Sequence, residues 1–136
     1  MAYEIPSFYL GLLPANVDMS SESGYQFAPV SVGAASGSVE GTGTGGAALV
    51  AGSSGGLSLG ILQNNPNQGE AGSVMVLGVS KAKIGTGGAA LNGELMDSGS
   101  QTLIPATTGH YVIARALETA VAGDIAAVLL TGPYKI

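Results

Sequence analysis

Cysteine and tryptophan are absent from this 136-residue chain, histidine occurs once, and lysine and arginine together number four. Each absence closes a class of chemistry. Without cysteine there is no disulfide, no thiol nucleophile and no thiolate metal site, which fits a reducing compartment. With four basic side chains against a formal charge of −5, phosphate neutralisation cannot carry binding, so nucleic acid is excluded as a partner. The same scarcity leaves no basic cluster for anionic lipid. Charged residues make up only 10% of the chain, yet 46% is apolar and the mean hydropathy is +0.40, a balance unlike that of disordered sequences.

Long apolar runs are missing too. Residues 41–69 carry no charge, but they are broken by Gly, Ser, Thr and Asn and hold nothing near the ~20 apolar residues a bilayer helix needs. The first 18 residues contain no Lys or Arg, so no secretory signal is expected.

What the chain has in excess is glycine, 23 residues, together with an uneven spread of aromatics and charge. Five of its seven aromatics (Tyr3, Phe8, Tyr9, Tyr25, Phe27) lie in the first 27 residues, and all four basic residues (Lys81, Lys83, Arg115, Lys135) follow residue 80. The length suits one domain. Residues 1–20 place Tyr3, Ile5, Phe8, Tyr9 and Leu10 among Pro6, Gly11 and Pro14, which break helix. They read as an extended arm before a single domain over 21–136. Such an arm either adds a first strand to its own core or docks on another protein, and the same five side chains are the candidates for that docking. Residues 33–56 are nearly low in complexity and read as a long Gly-rich loop, either a linker or a segment ordered by a neighbouring subunit.

The remainder reads as short strands between turns: Leu57 to Leu62, Ser73 to Val79, Glu94 to Met96, Tyr111 to Glu118 and Ile125 to Thr131. Ala114 to Leu130 is ambiguous. Its Ala, Leu and Glu content favours helix, whereas alternation puts Tyr111, Ile113, Arg115 and Leu117 on one strand face and Val112, Ala114 and Ala116 on the other. The heptapeptide GTGGAAL occurs at 43–49 and again at 85–91. Two copies make no solenoid, and the Gly/Ala-rich composition accounts for them.

Three patterns imitate catalytic motifs. G-x-G-x-x-G falls at Gly41, Gly43 and Gly46, but no helix pattern follows to hold a pyrophosphate. G-x-S-x-G occurs twice within residues 52–60, as Gly/Ser clustering alone would produce. A small serine hydrolase would take Ser58 as nucleophile, Asp97 as orienter and His110 as base, but that fold needs crossover helices this chain is too short to supply. The single His110 cannot build a metal site by itself, and the dispersed carboxylates contain no calcium loop. No cofactor, metal or small-molecule substrate is expected.

The succession Gly60-Ile61-Leu62, Gly69-Glu70-Ala71-Gly72-Ser73-Val74-Met75-Val76, Ala89-Ala90-Leu91-Asn92-Gly93-Glu94-Leu95 and Val112 to Asp124 resembles the small head decoration, or capsid cement, proteins of tailed bacteriophages. In them a Gly-Glu introduces a core strand and an Ala-Gly-Asp turn joins the last two strands. The resemblance implies an all-β compact barrel or sandwich, with Ala114 to Leu130 forming strand, turn at Ala122-Gly123-Asp124, and strand. It further implies a non-enzymatic virion protein on the outer face of the head, contacting the major capsid protein as a homotrimer. A tail or head-fibre subunit, or a surface β module, is the alternative.

Overall fold

The computed structural model describes residues 8–11, 13–20, 24–34 and 47–136. Among them there is no helix. The described residues form nine strands: β1 (Phe8–Leu10), β2 (Pro29–Ala34), β3 (Ala47–Ala51), β4 (Gly60–Leu62), β5 (Val74–Lys83), β6 (Glu94–Asp97), β7 (Leu103–Pro105), β8 (Tyr111–Ala116) and β9 (Ile125–Lys135). All strand pairs are antiparallel, in the order β3-β2-β4-β5-β9-β8-β6-β7, with β1 added on β5. The expected all-β compact fold is what forms, as one curled, half-barrel sheet.

β5 joins two halves. Val74 to Leu77 pairs with β1 and, at its start, with β4; Gly78 to Lys83 pairs with β9. Gly78 sits at the changeover with φ +113, a backbone conformation open to glycine and costly for other residues. The strand curls strongly: the Gln63 N–H donates to Ser73 O at 2.7 Å, while Gln63 Nε2 donates to Ser80 Oγ at 2.9 Å. An uncurled strand would separate those two serines by roughly 23 Å. Phe27 bridges the bend from outside β5, donating its N–H to Leu62 O (2.7 Å) and accepting from Lys83 N (3.1 Å), at a φ of +63 that few bulky residues adopt.

The two ends of the sheet path are covered rather than exposed. Pro14 O accepts from Leu49 N and Leu49 O from Asn16 N along β3, and Leu103 O accepts from Gly85 N along β7. Two apolar clusters result. Ala15, Met19, Val30, Leu49, Leu62 and Val74 form the smaller; thirteen residues, including Ile61, Met75, Ile84, Leu95, Leu103, Ile113, Val128 and Leu130, form the larger. The neighbours Ile61 and Leu62 go to different clusters, as do Val74 and Met75, because successive strand residues face opposite ways. With both faces buried, this stretch reads as unbroken apolar sequence.

The ambiguous C-terminal third is strand, turn and strand. Val112, Ala114 and Ala116 are buried as alternation requires, and Leu117 is exposed. Ile113 is buried as well, at a register irregularity between Val112 and Ala114. Helix propensity lost to the β5–β9–β8 ladder, which leaves Ala126, Val128 and Leu130 inside.

Two expected boundaries shift. Ala15 and Met19 are fully buried, so the inner end of the 1–20 arm belongs to the core. Residues 33–56 are not one loop: β2 and β3 pair in continuous register from Val30↔Ala51 to Ala34↔Ala47. The second GTGGAAL copy lies in the β5–β6 connection, whereas Ala47 to Leu49 of the first lies in β3, so the described residues of the two copies differ in structure.

Candidate functional site

The connection between β3 and β4 brings the three hydrolase candidates into one neighbourhood. Residues 52–58 cross the end of β6, where Gly55 N donates to Asp97 O (2.8 Å) and Gly55 O accepts from Tyr111 N (3.0 Å). Glycine is required by space: a Cβ on Gly52 would lie 1.6 Å from Asp97 Oδ2, and one on Gly55 2.2 Å from His110 Cδ2. Ser58 Oγ donates to Asp97 Oδ2 at 2.9 Å, and Gly99 N to Asp97 Oδ1 at 2.7 Å. Burial pushes the Asp97 carboxyl above its ordinary value, a rise opposed by those two hydrogen bonds.

The arrangement is not a nucleophile and its base. The imidazole Nδ1 of His110 is bonded to Thr107 Oγ1 at 2.7 Å, while the Ser58 hydroxyl is committed to the carboxylate and is 4% exposed. A proton relay needs the imidazole within hydrogen-bond reach of the serine. What this geometry does is pin the 52–58 strap onto β6. Among the described residues no three His, Cys, Asp or Glu side chains gather into a metal-binding group.

Of the five candidate docking residues, Phe8, Tyr9 and Leu10 form β1, opposite Leu77, Met75 and Val74. Tyr3 and Ile5 lie outside the described residues, as do Gly41, Gly43 and Gly46. Two surfaces escaped the sequence reading. A groove of about 330 Å³ is lined by Val32, Leu57, Ser58, Leu59, Val76 and Pro133. At the β8–β9 end, Leu91, Leu117, Val121 and Ile125 are exposed. The alternation Leu57-Ser58-Leu59 was a signal for the groove; the other surface joins Leu91 to Leu117, Val121 and Ile125 of a separate segment.

Charge divides along the same line as the fold. Glu4, Asp18, Glu22, Glu40 and Glu70 precede β5's second half and no base does, so the whole formal −5 belongs to residues 1–79 and the rest is neutral.

No protein-family model and no curated protein matches this sequence. Among solved structures, the head fiber gp8.5 N base of bacteriophage phi29 is similar at a TM-score of 0.65 and 12% identity, over 94% of this chain and 95% of that one. The likeness is one of fold, and it spans both halves.

Proposed function

We propose that this chain is a non-catalytic structural protein of a tailed-phage head, built like the base of a head fibre and seated on the head's outer surface. The observation that carries this reading is the end-to-end likeness to a head-fibre base. The committed hydrogen bonds of Ser58 and His110 support the same reading.

Decoration of the head as a cement protein is the second reading, favoured by the Gly69-Glu70 entry to β5 and the Gly123-Asp124 turn between β8 and β9. In both readings the partner is the major capsid protein, the chain acts as a homotrimer, and Tyr3, Ile5, Phe8, Tyr9 and Leu10 make the contact. Many weak contacts repeated on a lattice supply avidity without strong charge.

The test is co-sedimentation of purified chain with heads from particles that lack it. Saturable binding is expected, reduced in a chain deleted for residues 2–7, which keeps β1. Absence of binding by the full-length chain would contradict head attachment; undiminished binding by the deletion would remove the outer residues from the contact.

A further inference from the structure

The sheet has an opening beside Phe27. On one edge β5 pairs with β9 from Gly78 to Lys83; on the other, no strand of the described residues pairs with Val79 to Ala82. Which groups face that second edge is fixed at the end of the strand. Ile84 N donates toward β9, to Asp124 O at 2.8 Å, whereas Lys83 N turns the other way and donates to Phe27 O at 3.1 Å. Alternate residues of an antiparallel strand turn their N–H and C=O to the same edge, so Lys81 and Val79 face as Lys83 does. Lys81 O accepts from Ser80 Oγ at 2.8 Å. Among the described residues, nothing on that edge bonds to Lys81 N or to Val79 N and O.

A cleft of about 430 Å³ lies against this edge, with an apolar lining from Met75, Val79 and Ala127 and an aromatic one from Phe27. Phe27 is held there at a φ of +63, and strained backbone of this kind gathers at ligand sites. Gln63 also lines the cleft. Its Nε2 donates to Ile61 O at 3.0 Å and to Ser80 Oγ at 2.9 Å, which commits both amide protons and leaves Oε1 as an acceptor. Among the described residues that line the cleft, the charged one is Lys81, its Nζ 6.0 Å from the centre of the Phe27 ring.

These features specify an occupant. Unpaired N–H and C=O groups along a strand edge take an extended peptide by strand addition, and the side chains beside the edge choose its residues. An ammonium with no carboxylate in its cleft, on a chain of formal charge −5, selects an acid. A free acid would satisfy the ammonium and leave the strand edge unpaired. We propose that the cleft between Phe27 and the Val79–Lys81 edge receives an extended acidic segment of a partner protein, its backbone paired to β5 and its carboxylate against Lys81 Nζ.

This goes beyond head attachment and is tested on the free chain, so either reading can fail alone. Selection of random blocked heptapeptides on the wild-type chain is expected to yield sequences that share an Asp or Glu among apolar residues. The best of them is expected to slow hydrogen exchange at Lys81 N at least about tenfold. Lys81→Glu, a change on an exposed side chain, is expected to bind those peptides at least about tenfold more weakly and to select Lys or Arg in place of the acid. A wild-type selection without acidic enrichment, or one that Lys81→Glu leaves unchanged, would overturn the proposal. So would a Lys81 N–H already protected in the free chain, or one slowed as much by N-acetylglutamate as by the peptide, since a small acid cannot supply a strand.

Discussion

The part of the molecule before Gly78 and the part after it use one strand in two ways. The six-residue cluster that includes Leu62 and Val74 lies wholly in the first; of the thirteen-residue cluster, eleven residues, Val128 and Leu103 among them, come from the second, and Ile61 and Met75 from the first. The first holds every unbalanced charge, while the second is neutral. The first also depends on the second for support, because its 52–58 strap is pinned by Asp97 and its Phe27 by Lys83. The difference teaches how a small chain with little charge divides its work: one half builds most of the core, and the other carries the strap and the net negative charge on fewer buried side chains.

The comparison can be broken first at the cores. Leu103→Ala and Leu62→Ala each empty a fully buried site and are expected to cost about 3 kcal/mol in denaturant unfolding. Both should shift a single transition, since Ile61 and Leu62 tie the clusters back to back; separate transitions for the two halves would break the account. Next comes the strap. Gly52→Ala forces a methyl against Asp97 Oδ2 and is expected to cost about 2 kcal/mol, more than Gly11→Ala, where the glycine has open space around it.

A smaller effect concerns pH. Burial raises the folded-state value of Asp97 above the 3.8 of the unfolded chain, so folding favours the protonated form. Its contribution is fullest below pH 3.8 and declines as pH rises through the raised folded value. Asp97→Asn is expected to remove that decline, making the variant at least as stable as wild type at neutral pH. A variant that loses stability there would show that the charge itself holds the strap. Smallest of all, Leu57→Ser should leave stability within about 0.5 kcal/mol by thermal melting, because Leu57 is 58% exposed.

Much of this division was legible in the sequence. The apolar runs Leu57 to Leu62 and Ser73 to Val79 foretold strands β4 and β5, and Gly123-Asp124 foretold the last turn. The burial of Ala15 and Met19 was not legible, because it depends on Leu49 and Val74, far along the chain. Nor was the division of the Gly-rich stretch into β2 and β3: small residues give no alternating pattern, and only pairing reveals the strands. That Ser58 bonds Asp97 while His110 bonds Thr107 was not legible either, since spacing in sequence says nothing about which donor meets which acceptor.

Head attachment is tested most directly by a reconstruction of the particle whose genome encodes this chain. The account predicts density for the nine-stranded fold on the outer surface of the head, against the major capsid protein. Density confined to the tail, or a particle from which the chain is absent, would contradict it.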